Sequence, residues 1–363
     1  MQSIESLLAT VAVKRSVGSK ANDKLLSTCE TIASSFGYEV QSQKFLTHTW
    51  SSSLSFITLS EESCTVLPSI FSPPCKVTAP LAFVSQRSAL LGLDASSSIL
   101  VVHGSLAAEP IRETELLDLL IQTEAKAIIC LTGTHESTGL SPFPLIASAS
   151  FLIPSCYAPS SLIESLMQAK EDQLAVTLQL FSNVEEIESR QLLCSRPSSK
   201  QTLLVTAPLD STYGTPGTLF HAGSLAVLLS VMQQTENRSI AFLIANGQAY
   251  DRGTGSKVFL QHNTQPIQEV ISLTALGCKN SETAYTSYGS IFDTELKKRG
   301  LPAIQNGVAR FDCGLPELVL SSSDQCLAKQ VRDTQLDTMD IIDLQILMQQ
   351  TQLLGEILSI WRS

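Results

Sequence analysis

Residues 202–245 read TLLVTAPLDSTYGTPGTLFHAGSLAVLLSVMQQTENRSIAFLIA and contain the pattern that decides the fold. A short apolar run typical of a buried strand, 202–207, precedes a strongly apolar helical segment, 222–233, and a second buried strand, 240–245. Apolar strands that alternate with helices are typical of a parallel sheet with both faces covered. The segment therefore predicts an α/β fold.

The alternation extends in both directions along the chain. Residues 255–260 begin another predicted helix, and 270–275 read as a third buried strand. From about Thr338 to the C-terminus, apolar residues at helical spacing predict one long helix. The N-terminal residues 2–12 and 21–36 also have helical spacing. We therefore predict a mixed, largely parallel sheet with helices on both faces.

The middle of the chain has a different organisation. A Pro-rich stretch from Pro68 to Pro80 indicates a boundary, and short buried strands at 99–102 and 127–131 alternate with helical segments after it. The pattern predicts a smaller domain inserted into the core. We place the two parts of the core at 1–65 and 186–363, and the insertion at 66–185.

Composition and charge narrow the function classes. Hydrophobic residues make up 44% of the 363 residues and charged residues only 16%, so the chain can bury a large core. The net charge of -10 disfavours nucleic acid as a partner, because an acidic surface repels phosphates. Neither a signal-peptide pattern nor an apolar run of membrane-spanning length is visible, so we expect no membrane association and a cytoplasmic location. The sequence gives no indication of the oligomeric state.

The nine Cys residues do not form a recognisable site. They are scattered along the chain, and no pair has the Cys-x-x-Cys spacing of a zinc or redox centre. We expect reduced thiols that pack as small hydrophobic side chains.

Several segments, in order along the whole chain, resemble the family-28 metallopeptidases, the group of di-zinc aminopeptidases. The opening RSVGSKANDK resembles the N-terminal segment of that family, and residues 66–185 resemble its protease-associated insertion. The core resemblance is carried by TLLVTAPLDS, PGTLFHAGSLAVLL, FLIANGQAYDRGTGSKVFL, ISLTALG, RGLPAI and DTQLDTMDIID. The resemblance implies a zinc-exopeptidase-like three-layer sandwich with an inserted protease-associated-like domain.

The residues that the family needs for catalysis are replaced in this chain. Family members bind two zinc ions through His and carboxylate side chains, and a free Glu is the general base. The resemblance places these ligand and base positions on Pro208, Phe220, Ala249, Tyr250, Thr274 and Asp333. Of these residues, only Asp333 could bind a metal well, and one carboxylate does not hold zinc.

The motif residues that are retained in this chain have structural roles. The resemblance implies that Gly217 and Gly223 serve a tight turn, that Gly255 starts a helix, and that Asp337 with Thr338 caps the last helix. The family's counterpart of Asp210 orients a metal-binding His. Since Pro208 stands in place of that His, we expect Asp210 to hydrogen-bond loop backbone.

These replacements predict a non-catalytic relative of a zinc aminopeptidase that needs no cofactor and binds a protein or peptide. We also expect Phe220 and Tyr250 to fill the former active site. Two alternatives stay open. One is an active zinc aminopeptidase with an unrecognised or relocated metal site, for which His221 could combine with Asp210, Asp251 and Asp333. The other is a hydrolase without metal, although the chain has no Gly-x-Ser-x-Gly elbow.

Overall fold

The chain forms two compact units, residues 1–47 with 187–363 (unit 1) and residues 48–186 (unit 2). The structure is a computed structural model. It describes residues 2–108, 114–132, 134–135, 139–140, 146–197, 200, 202–249, 254–304, 311, 314–324, 327, 331–332, 334 and 336–361.

The secondary structure combines helices with many short strands. The helices with described bounds are α1 (Ile4–Val11), α2 (Lys20–Ser35), α3 (Gly104–Ala108), α4 (Thr114–Gln122), α5 (Ile163–Glu171), α6 (Gly223–Gln234), α7 (Thr254–His262), α8 (Asp293–Lys298) and α9 (Leu344–Ile360). The strands are β1 (Glu39–Ser52), β2 (Ser55–Leu59), β3 (Glu62–Pro68), β4 (Cys75–Ala79), β5 (Leu81–Val84), β6 (Ile99–Val102), β7 (Ala127–Thr132), β8 (Thr134–His135), β9 (Gly139–Leu140), β10 (Ser155–Pro159), β11 (Val176–Leu180), β12 (Ser182–Ser195), β13 (Leu203–Pro208), β14 (Ile240–Ala245), β15 (Glu269–Leu273), β16 (Thr283–Tyr288) and β17 (Glu317–Ser322). Short 3₁₀ turns lie at Arg87–Leu90, Ser160–Leu162 and Met339–Ile341, and a π-helical turn at Thr218–Ala222 precedes α6.

Unit 1 is built on a mixed sheet whose described strands follow the order β1-β12-β14-β13-β15-β17-β16. The central strands β14, β13, β15 and β17 run parallel to one another, whereas β12 pairs antiparallel with β14 and β16 pairs antiparallel with β17. β14 and β15 are buried along their whole length, as expected for parallel strands covered on both faces. The predicted α/β fold with a mixed sheet is therefore confirmed, and its central strands are the parallel ones.

Helices cover both faces of this sheet. Leu203 and Val205 belong to a core cluster that also contains buried residues of α1, α2, α6, α8 and α9. Leu204, between them on β13, faces the other way and packs in a cluster with Phe259 of α7. Alternate residues of one strand thus face two different helical layers, which gives unit 1 three layers.

The last helix begins later than the sequence pattern predicted. Predicted from about Thr338, it starts at Leu344, because the side chain of Asp343 accepts hydrogen bonds from the backbone N–H groups of Gln345 at 2.8 Å and Ile346 at 3.3 Å. Met339–Ile341 forms a separate 3₁₀ turn, and Thr338 makes no side-chain cap there. The expected cap by Asp337 and Thr338 was therefore wrong.

Unit 2 contains a second mixed sheet, with the described strands in the order β4-β11-β2-β3-β10-β7-β6-β5. β5, β6, β7 and β10 run parallel, whereas β2, β3, β4 and β11 pair antiparallel. β6 and β7 are fully buried, and residues of α4 and α5 pack in the two clusters that cover them.

The unit boundaries lie inside β1 and β12. We predicted the first boundary at residue 65, but residues 48–65 belong to unit 2. The reason is strand pairing: β2 pairs with β11, and β3 pairs with β10. The second boundary, between residues 186 and 187, lies beside the expected one.

Among the helices that the structure describes, none is long and apolar enough to cross a bilayer.

The thiols of Cys29 and Cys130 are fully buried, and this burial raises the pKa of each to about 12. Because the thiolate is the reactive form, we expect both to resist iodoacetamide in the folded protein. Cys64, which is free and partly exposed, provides the comparison. Peptide mass spectrometry after brief labelling at pH 8 should show modified Cys64 and unmodified Cys29 and Cys130. Denaturant should make all three react, and native-state labelling of Cys29 equal to that of Cys64 would contradict the described packing.

Candidate functional site

The carboxyl ends of the central parallel strands hold most of the described positions that sequence reasoning singled out. Pro208 is the last residue of β13 and lies opposite Ala245, the last residue of β14. Thr274 follows β15, and its N–H donates to the carbonyl of Leu320 at 3.1 Å. In open α/β sheets, ligands bind at this edge, where the loops after the strands meet.

The carboxylate of Asp210 joins two of these loops. It is fully buried, and both of its oxygens accept from the N–H of Gln248, at 2.8 and 3.0 Å. One oxygen also accepts from the N–H of Ala249 at 2.9 Å. Asp210 thus holds the loop after β14 against the loop after β13, which is the backbone-binding role expected for it.

A buried cation, Arg15, lies behind the same loops. Its guanidinium donates to the carbonyl oxygens of Val13, Leu209 and Pro216. Burial lowers its pKa to about 10, while the negative charges of Asp210 and Asp337 oppose that shift. Arg15 therefore connects the N-terminal segment to the loop after β13 and offsets two buried carboxylates.

The π-helical turn at Thr218–Ala222 depends on Gly217 and Asp337. Gly217 has a φ of 56°, and a Cβ added there would lie 2.9 Å from the Cβ of Ser211. Asp337 accepts from the N–H of Leu219 through its side chain and from the N–H of Thr218 through its carbonyl. Asp337 thus caps this turn, rather than the last helix, from a distant part of the sequence.

The turn presents Phe220 and His221. Phe220 is partly buried against the core of unit 1, and the guanidinium carbon of Arg332 lies 5.0 Å from the centre of its ring. The Nδ1 atom of His221 hydrogen-bonds the backbone carbonyl of Asp210, so Nδ1 carries the proton. An aromatic ring and a guanidinium therefore occupy the position at which the resemblance places a bridging carboxylate.

The described residues do not fit two zinc ions. Pro208, Phe220 and Ala249 have no side-chain atom that can ligate a metal, and Thr274 has only a hydroxyl. Within the described residues, no three His, Cys, Asp or Glu side chains cluster in a way that could hold a metal ion. Tyr250, Asp251 and Asp333 lie outside the described residues.

Sequence reasoning missed an amide pair that supports the site. The side chains of Asn22, in the first turn of α2, and Asn246, directly after β14, exchange two hydrogen bonds of 3.0 Å. Both residues are fully buried. A buried amide needs several partners, so the pair fixes the loop after β14 relative to α2. The sequence signal available was only the position of Asn246 at the end of a buried strand.

Comparison with solved structures shows which fold this is. An aminopeptidase from Aneurinibacillus sp. strain AM-1 matches with a TM-score of 0.75 at 18% identity, over 98% of this chain and 93% of that chain. A zinc aminopeptidase from Bacillus subtilis matches with a TM-score of 0.74 at 15% identity, over 98% and 94%. A peptidase M28 precursor from Shewanella amazonensis matches with a TM-score of 0.69 at 14% identity, over 98% and 90%. No family model and no curated protein sequence matches the chain.

The chain therefore has the α/β fold of zinc aminopeptidases over nearly its whole length. At sequence identities of 14–18%, the structural similarity establishes the fold alone.

Proposed function

We propose that this protein is a non-catalytic relative of the zinc aminopeptidases that binds a protein or peptide at the carboxyl edge of its central sheet. The proposal rests on the hydrogen bonds that the carboxylate of Asp210 accepts. Its carboxylate accepts the backbone N–H groups of Gln248 and Ala249. The carboxylate two positions after Pro208 in the sequence thus serves the scaffold.

The neighbouring residues support the same conclusion. Pro208 and Ala249 offer no ligand atom, and the ring of Phe220 lies against the guanidinium of Arg332. A zinc site with three or four His, Cys or carboxylate ligands cannot be assembled from these side chains. A partly buried aromatic ring beside an arginine is instead a composition found in many protein-binding surfaces.

We predict that the purified protein retains no stoichiometric zinc and does not hydrolyse aminoacyl-nitroanilides. Elemental analysis after incubation with zinc and desalting measures the bound zinc. An absorbance assay with and without chelator measures the hydrolysis of aminoacyl-nitroanilides. The variant with Phe220→Asp and Tyr250→Glu is the control. It should also be inactive, because Pro208, Ala249 and Thr274 still lack ligands.

Tight binding of one or more zinc ions per chain, with turnover that a chelator abolishes, would instead support the alternative of an active zinc aminopeptidase with a relocated site. The same measurements therefore separate the two hypotheses.

A further inference from the structure

We propose that unit 2 binds a phosphate group through Lys170 and His103, which lie around the ring of Phe83 at the carboxyl ends of β5 and β6. All three residues belong to unit 2, so this inference goes beyond the function proposed for the sheet of unit 1 and does not depend on it.

The backbone places Phe83 and His103 on the same face of the unit 2 sheet. β5 and β6 are parallel neighbours in which Phe83 lies opposite Val101. Alternate residues of a strand share a face, so His103, two residues after Val101, faces the same way as Phe83. The N–H of His103 donates to the carbonyl of Val84 at 3.0 Å, which keeps it beside the end of β5. Both side chains therefore lie at the carboxyl edge of parallel strands, the edge at which α/β sheets bind ligands.

The helix α5 brings an ammonium group to the same place. Phe83 packs against a buried cluster that contains Ala169, and Lys170 follows Ala169 in the last turn of the helix. The Nζ atom of Lys170 lies 5.2 Å from the centre of the Phe83 ring. The centre of the His103 imidazole lies 6.0 Å from the same point, at an interplanar angle of 74°. An exposed ammonium and a partly buried imidazole thus contact one aromatic ring.

The polar groups around this ring have no partner among the described residues. Within that part of the chain, no carboxylate forms an ion pair with Lys170, and no group hydrogen-bonds a ring nitrogen of His103. Asp172, two positions after Lys170, instead accepts from the side chain of Gln168 at 3.0 Å. A partly buried imidazole normally has a hydrogen-bond partner, and an unpaired ammonium is unexpected in a chain with a net charge of -10. Both groups are therefore available to an external anion.

The chemistry of these two donors favours a phosphate over a carboxylate. Arginine, with its planar guanidinium, matches a carboxylate through two parallel hydrogen bonds, whereas lysine binds phosphate as a compact point charge. A phosphate has oxygens in several directions, so it can accept from an ammonium and an imidazole that do not share a plane. The contact with Phe83 restricts the long side chain of Lys170, so less conformational entropy is lost when the anion binds.

The phosphate could be free inorganic phosphate, a small phosphate ester or a phosphorylated side chain of a partner protein. These sources present the same group to Lys170 and His103, and the experiment below distinguishes them.

The test is a titration of the full-length protein with sodium phosphate at pH 7, followed by proton–carbon NMR of the histidine side chains. The Cε1–H signal of His103, identified by its absence in His103→Phe, should shift until the site is saturated. The signal of His262, whose Nδ1 atom hydrogen-bonds the carbonyl of Val258, should move no more than it does in chloride. Sodium chloride at the same ionic strength is the control for screening.

Lys170→Met should raise the dissociation constant of phosphate by roughly 10-fold or more, since it removes a charge-assisted hydrogen bond and keeps an apolar contact with Phe83. Lys126→Met is the matched control. Lys126 is also exposed, but it directly precedes β7 and so lies at the opposite, amino edge of the same parallel strands. Its replacement should leave the dissociation constant unchanged.

The source of the phosphate follows from the same titration with phenyl phosphate and with a capped pentapeptide that contains one phosphoserine. Tightest binding of the pentapeptide would identify a phosphorylated partner, tightest binding of phenyl phosphate a small ester, and tightest binding of inorganic phosphate the free anion.

Equal shifts of the His103 signal in phosphate and in chloride would overturn the assignment, and this comparison uses the unmodified protein, so it holds even if a variant does not fold. A folded Lys170→Met protein that binds phosphate as tightly as the parent would also overturn it. Neither result bears on the function proposed for unit 1, which zinc analysis and the hydrolysis assay test separately.

Discussion

Replacing Asp210 by alanine is expected to lower the free energy of unfolding by about 3 kcal/mol, because the loss of a buried, ionised acceptor leaves its backbone donors unsatisfied. The substitution leaves the N–H groups of Gln248 and Ala249 without their acceptor. It also leaves the buried guanidinium of Arg15 with one fewer compensating charge. Urea titration followed by circular dichroism gives the change in unfolding free energy.

The chain offers a matched control in Asp343→Ala. Asp343 also accepts two backbone N–H groups through its side chain, but at the partly exposed start of α9. Its loss should cost about 1 kcal/mol, the usual value for a helix cap. Equal losses for the two variants would show that the burial of Asp210 and the nearby charge of Arg15 contribute little. Asp210→Asn, which keeps the shape and removes the charge, should fall between the two.

Gly223→Ala is the second substitution with a large expected effect, roughly 3 kcal/mol of destabilisation, at the upper end of the usual cost of overpacking. Gly223 begins α6 with ordinary helical dihedral angles, φ -57° and ψ -46°, so the backbone conformation itself would accept alanine. The added Cβ would, however, lie 2.3 Å from the carbonyl oxygen of Leu276. α6 is buried in the core, so neither segment can move without disturbing its packing.

Gly355→Ala is the control for this second variant. Gly355 also lies in a helix, α9, but a Cβ added there meets nothing within 4 Å. This variant should be about 0.5–1 kcal/mol more stable than the parent, because alanine loses less conformational entropy than glycine in a helix. Thermal unfolding of the parent and of both variants measures these differences in stability. A Gly223→Ala protein as stable as the parent would show that α6 and the Leu276 segment are not in the described close contact.

The sequence predicted the parts of the fold that depend on local periodicity. β13, α6 and β14 lie within one or two residues of the predicted segments, because each is a single apolar run with clear limits. β12 was not predicted as a strand. Its first half is polar and partly exposed, so it lacks the apolar run that marked its buried neighbours.

The features of the site that could be predicted are those for which the residue type alone decides what the side chain can do. The side chain of Pro208 cannot ligate a metal in any structure, and Asp210, two residues later, therefore needed a new hydrogen-bond partner. The role of Arg15 could not be predicted, because its partners are the carbonyl oxygens of Leu209 and Pro216, about 200 positions further along the chain by their residue numbers. Backbone acceptors leave no pattern in the sequence. The start of α9 was misplaced for a related reason, since helical spacing does not show where a cap such as Asp343 interrupts it.

The cap of the π-helical turn has a consequence for folding. The N–H of Leu219 is satisfied by a side chain 118 positions away in the sequence, at Asp337. Closing so large a loop costs chain entropy that no local interaction repays, and contacts of this kind form slowly. The turn that presents Phe220 is therefore completed only when the C-terminal segment has docked. We therefore expect a nascent chain to leave this turn incomplete until Asp337 has emerged from the ribosome.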